Sequence, residues 1–264
     1  MRRTKKSTSG SDVERAVPDS PEVLAEKGAG LTADVDSPRW QRSLNRVLAI
    51  QHPLVVSHVQ SIRRRDPNAG PERVIRILER EFLTAVTTGG AAVGASAVIP
   101  GVGIPVSLAL SGAETAYFLE ASALFAQSIT EVHGIAITDP ERARTLVMAM
   151  MLGGPGQALV RQLAGEALGQ APARSAFWGD LVAQRLPKAA LGGVSDLVRK
   201  QFVRRFATSQ GASIVGRAIP FGVGAVIGGV GNHSLGKKIV ESSRSAFGPA
   251  PVAFPPDPST RLDS

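Results

Sequence analysis

Between Phe82 and Ala113 the chain places no Asp, Glu, Lys or Arg for 32 consecutive residues, FLTAVTTGGAAVGASAVIPGVGIPVSLALSGA. About 20 apolar residues suffice to span a bilayer as one helix, so the run is long enough to do so. Its interior points to a different arrangement. Pro100 and Pro105 frame Gly101-Val102-Gly103. A proline inside a helix removes a hydrogen bond and collides with the preceding turn, so the sequence predicts two helices joined by a tight turn at Pro100, Gly101 and Gly103. The residues are also small. Gly90 and Gly94 have the spacing that lets helix backbones approach closely, in a bilayer or in water. Two arrangements fit: a tightly packed central hairpin of a soluble helical protein, or a hairpin inserted in a membrane.

The same design returns near the C-terminus. Residues 218–236, AIPFGVGAVIGGVGNHSLG, again lack charged side chains, and Ile219-Pro220-Phe221-Gly222-Val223-Gly224 lines up with Ile99-Pro100-Gly101-Val102-Gly103. Pro220, Gly222 and Gly224 are read as the second hairpin turn. Each block precedes an amphipathic pattern, Tyr117, Phe118, Ala121, Phe125 and Ile129 in the first and Leu235, Ile239 and Phe247 in the second. The expected result is a degenerate internal repeat of glycine-rich hairpins.

Everything else between the ends also reads as helix. Ser37-Pro38, Pro71 and Asp139-Pro140 are start signals, His52-Pro53 is a break, and Pro187 opens a helix to Ala207. Residues 169–180 read as a looser connection. Strand alternation and hairpin turns between β-branched runs are scarce. The fold class is therefore all-α, one multi-helix domain over 38–248. Residues 1–37, rich in Ser, Asp, Glu, Pro and Gly, read as a disordered tail, and residues 249–264 as a Pro-rich extended tail. No apolar stretch follows the basic opening residues, so a secretory signal is not expected.

Charge is distributed unevenly. Residues 1–37 hold six Lys/Arg against seven Asp/Glu, and 249–264 hold one against two. The body, 38–248, carries 23 against 13, a net +10. A basic body favours anionic partners. In the helix from Pro187, Arg199, Lys200, Arg204 and Arg205 flank Phe202, Val203 and Phe206, a basic amphipathic face suited to an anionic membrane surface and otherwise simply solvated.

Catalytic and cofactor signatures are weak. The absence of cysteine excludes disulfides, thiolate metal sites and a cysteine nucleophile. His52, His58, His133 and His233 are scattered without clustered acids, so no metal is expected. The glycine turns match neither a phosphate-binding loop nor a strand-led dinucleotide fingerprint. No cofactor and no catalytic residue is assigned. Arg63-Arg64-Arg65 has no nucleic-acid-reading module around it, and aromatics are only 5% of the chain, so no nucleic-acid partner is expected. Glu114 is the acid to watch, because it shares a helical face with Phe118, Ala121, Phe125 and Ile129. A carboxylate there needs a partner or a raised pKa, and Arg217 at the mouth of the second block is the expected ion-pair or ligand-binding counterpart. Glu120, roughly perpendicular to that face, is expected in solvent.

Over residues 38–248 the order of features resembles the EcsC family of bacterial proteins. The features are a Trp-led first helix at Trp40, IPGVG after a small-residue helix, a helix ending at Val132-His133-Gly134 ahead of an Asp, and IPFGVGAVIGGVGN closing with Ala246-Phe247-Gly248. The chain departs from the commoner pattern at His133, where an aromatic is more usual. A weaker similarity is to the helical domain attached to some bacterial GTPases. The EcsC resemblance implies a helical, membrane-associated or cytoplasmic protein linked to transport or secretion machinery, with no established reaction. The expected function is thus a non-catalytic, membrane-associated accessory protein. Its location is cytoplasmic, at the inner face of the cell membrane, and its partner an anionic membrane surface or membrane protein complex. The alternative is a soluble helical enzyme or small-ligand binder with a pocket between the two IPxxG turns. No oligomeric state follows from the sequence.

Overall fold

The computed structural model describes residues 38–49, 52–96, 104–135, 137, 139–169, 177–216 and 223–254. Among them the chain is all-α, with no strand. In chain order the helices are α1 (Pro38–Val47), α2 (His52–Arg65), α3 (Pro71–Ser96), α4 (Ile104–Val132), α5 (Pro140–Leu152), α6 (Gly154–Leu168), the short α7 (Trp178–Asp180), α8 (Lys188–Gly216) and α9 (Val223–Phe247). A π-helical turn, Leu181–Arg185, continues α7.

Local chemistry sets most of these boundaries. Asp139 adopts an extended backbone and its Oδ1 accepts the Glu141 N–H at 2.8 Å, with Pro140 at the first helical position. The Gly70 carbonyl accepts from Val74 N at 3.1 Å to open α3, and Glu72 in the first turn faces the positive end of the helix dipole. The end of α4 closes when Ile135 N donates to Thr130 O and Gly134 N to Glu131 O. Gly134 takes a φ of 72° that a side chain would resist.

The charge-free run does form two helices. α3 carries its first part and α4 its last, and the two pack together with 97–103 between them outside the described residues. Phe82 stacks on Phe125 with ring centroids 4.6 Å apart, and Gly89 lies against the Tyr117 ring, so the pair is antiparallel. α9 runs antiparallel to α3 in turn. Gly236 sits against Leu83 and Val86, Gly229 against Thr87 and Ala91, and Arg244 reaches Glu79. A Cβ at Gly236 would stand 3.0 Å from both Leu83 and Val86, so glycine is what allows this approach.

α5 lies at the other half of the core. Ala143, Leu146, Val147, Ala149, Met150 and Leu152 are all buried, and α5 is packed by α8, α6, α4 and α9. Trp178 and Leu181 close this region. Arg142 ties it down by donating to the Val182 and Leu186 carbonyls at 2.8 and 2.6 Å.

Several expectations are corrected. Glu120 is 6% exposed, not solvated, because α4 is buried almost all round from Gly112 to Thr130. Leu235 is 48% exposed, because α9 turns Gly236, Ile239 and Val240 inward instead. The helix read as ending at Ala207 continues to Gly216. The described part of the 169–180 connection holds the fully buried Trp178. The C-terminal segment is not free at its start: Phe254 packs on the core and Arg63 lies over its ring at 4.2 Å.

Candidate functional site

The antiparallel and parallel directions bring three charge-poor helix segments to one end of the molecule. These are the part of α3 after Glu81, the part of α4 before Glu114, and the part of α9 before Lys237. α8 after Arg205 is also free of Asp, Glu, Lys and Arg, and only residues 217–222 separate its end from the start of α9. Six residues span at most about 20 Å, which bounds the distance between the end of α8 and the start of α9; α8 itself packs on α5 and α6.

The described outer face of this pole is uncharged. Thr84, Thr88 and Ala92 are exposed along α3, with Val230, 60% exposed, Gly231, Ser234 and Leu235 along α9. The Thr88 hydroxyl donates back to the Thr84 carbonyl at 2.9 Å, so its polar atom is satisfied within the helix. One turn further from the pole, Arg80 on α3 and Lys237 and Lys238 on α9 are exposed. Gly236 packs at the level of Leu83, which puts these three cations in one belt. On α8 the basic residues precede the uncharged stretch in sequence.

Several polar side chains inside this layer are paired across helices. Asn232 Nδ2 donates to Glu114 Oε1 at 3.2 Å, and Thr87 Oγ1 and His233 Nδ1 lie 3.0 Å apart. Glu79, nearly buried, accepts both Arg244 Nε and a terminal Arg244 nitrogen at 2.8 and 2.7 Å, a bidentate bond. That carboxylate holds the Arg244 guanidinium above its ordinary pKa. The other histidines serve separate contacts. His52 lies 3.2 Å from Glu131, and His58 lies 3.6 Å from Glu81. The His133 ring centroid is 5.4 Å from that of Phe247. Burial pushes His58 and His133 below the usual imidazole pKa, with Glu81 partly opposing this at His58. No group of three or more potential metal ligands occurs among the described residues.

No known protein family, curated protein or solved structure matches this chain.

The structure places the sequence-derived candidates as follows. Glu114 is buried, 8% exposed, with Asn232 as a neighbour that the sequence reading did not name. Its expected partner Arg217, and the turn residues Pro100, Gly101, Gly103, Pro220 and Gly222, lie outside the described residues. So does any pocket between the two turns. Gly224 belongs to the first turn of α9. Of the basic face, Lys200, Arg204 and Arg205 are exposed, while Arg199 is half-buried and bonded to Asp196 at 2.6 Å.

Beside that face, α6 and α8 enclose an open groove of about 440 Å³ that includes Leu159, Leu197, Lys200 and Arg204. The sequence reading missed both this groove and the Glu79–Arg244 pair. Glu79 had a signal: it shares a helical face with Ile75, Phe82 and Val86, where a carboxylate needs a counter-charge.

Proposed function

We propose that this chain is a non-catalytic, membrane-associated accessory protein of the EcsC type, acting at the inner face of the cell membrane on transport or secretion machinery. The observation that carries the membrane part is the gathering of uncharged helix ends at one pole above a belt of cations. The EcsC assignment rests on the sequence motifs that suggested it. Uncharged ends on α3, α4 and α9 with Lys and Arg one turn behind them follow the order met on entering an anionic interface, acyl boundary first and headgroup phosphates next, and Arg217, which follows α8 in sequence, would add a cation at that level. No helix among the described residues is long and apolar enough to cross a membrane, so the mode proposed is shallow insertion of the pole.

Binding to phosphatidylcholine vesicles with and without phosphatidylglycerol tests this reading. Flotation with the anionic vesicles, weakened by salt, is the expected result. Replacing Lys200, Arg204 and Arg205 by Ala should weaken binding about a hundredfold, at roughly 1 kcal/mol per cation near the surface. Failure to float at low salt, or equal flotation with neutral vesicles, would overturn the electrostatic mechanism.

A further inference from the structure

The α6–α8 groove has an apolar floor that includes Ala158, Leu159 and Leu197, the last 44% exposed, beside Lys200 and Arg204. Its two cations differ from their neighbour. Arg199 is neutralised by Asp196, whereas Arg204 rests on the uncharged Gln201 Oε1 at 3.1 Å and Lys200 makes no ion pair among the described residues. The nearby acid Glu166 is engaged by Gln162 Nε2 at 3.1 Å. An apolar trough with two un-neutralised cations one helical turn apart suits an acidic amphipathic segment. A lipid suits it less well. Leu197 precedes Lys200 along α8, on the side away from the uncharged end of that helix, so an acyl chain entering from that end would meet the cations first.

The chain carries such a segment. Residues 11–37 hold seven Asp/Glu against Arg15 and Lys27, a net −5. Within it, Ser20-Pro21-Glu22-Val23-Leu24-Ala25-Glu26 sets three apolar residues between carboxylates four positions apart, the spacing of Lys200 and Arg204. The 16 residues from Glu22 to Pro38 reach at most about 55 Å, and a globule of some 210 residues is only about 45 Å across. A covalent tether supplies an effective concentration in the millimolar range, so modest intrinsic affinity is enough.

We infer that residues 20–26 occupy the α6–α8 groove, with Glu22 and Glu26 on Lys200 and Arg204, and so compete with anionic surfaces for those two cations. The competition rests on the membrane reading above; the docking does not.

The 264-residue chain allows a direct test, because it has no cysteine to remove. Spin labels at A25C and Q162C should give a defined short-distance population by pulsed electron resonance. Salt should abolish it, and so should K200E/R204E. Adding E22K/E26K to K200E/R204E should restore it. Matching helical spectra and melting points guard against misfolded variants, and L197S at an exposed position gives a second, uncharged disruption. A broad distribution indifferent to salt and to charge reversal would overturn the docking. In the same preparations, E22Q/E26Q should raise affinity for anionic vesicles at least about fivefold, by freeing two cations. Unchanged affinity in E22Q/E26Q, with the short distance present in the parent chain, would overturn the competition. Absence of vesicle binding in both forms would sink the membrane reading instead.

Discussion

The two halves of this helical core are held together by different means. Around α5, large apolar side chains such as Leu146, Met150 and Trp178 fill the interior with almost no exposure. In the α3–α4–α9 layer, helices meet through Gly89, Gly229 and Gly236, and polar side chains pair across the contact. The first half is specified mainly by volume and tolerates little loss, with glycine needed there where Gly156 abuts the Ala149 carbonyl and Gly179 abuts Phe247. The second is specified by closeness and tolerates little gain. It is also the second half whose helices run out, uncharged, to the pole.

Substitutions can break this contrast, and the largest effect is expected in the volume-filled half. Trp178→Ala should lower unfolding free energy by about 3–5 kcal/mol, read from denaturant melts, since a fully buried indole leaves a cavity behind. In the glycine layer the damaging change is an addition. Gly236→Val should cost about 1–3 kcal/mol, because its Cβ would stand 3.0 Å from Leu83 and Val86 and force α3 and α9 apart. The mirror experiment sharpens the point: Gly231→Ala, at a position with open space around it, should be neutral or slightly stabilising.

Electrostatic changes should be smaller. Arg244→Ala strands the nearly buried Glu79 carboxylate, yet Arg244 itself is well exposed, so a loss of about 1 kcal/mol is expected. Glu79→Gln in the Arg244→Ala background should recover part of it. The pH dependence has a definite sign. His58 and His133 have folded pKa values below the reference of 6.5, so the unfolded chain binds more protons near and below that pH. Their contribution to stability is present above pH 6.5 and is lost as acidification passes from there down to the folded values. Glu81 beside His58 tempers that loss. Replacing both histidines by Gln should flatten this part of the pH–stability profile; an unchanged slope would show that other groups set it.

The sequence was most informative where proline and capping chemistry act locally. Pro71 and Asp139-Pro140 mark helix starts that are present in the structure, and the charge-free run divides into α3 and α4 as its Pro/Gly-rich centre leads one to expect, with Pro105 in the first turn of α4. Periodicity found the buried face of α4 at Ala121, Phe125 and Ile129 but misplaced Glu120, because a helix covered on every side has no solvent face to read. It misplaced Leu235 for the opposite reason: on α9 the inward positions are taken by glycine, which hydrophobic patterns overlook. Cross-helix partners such as Glu114 with Asn232 depend on the register between distant segments, 118 residues apart, and no local signal encodes that. The same is true of the groove, which exists only because α6 and α8 pass side by side.

The central claim is that the uncharged pole, and not some other surface, meets the membrane. Single cysteines carrying an environment-sensitive fluorophore at Thr88 and Val230, with Gln60 on α2 as an exposed control, measure this directly in the presence of anionic vesicles. If the pole inserts, positions 88 and 230 show a blue shift that neutral vesicles do not produce, and position 60 shows none. A shift at position 60 with none at the pole, or no shift anywhere while the protein floats with the vesicles, would contradict it.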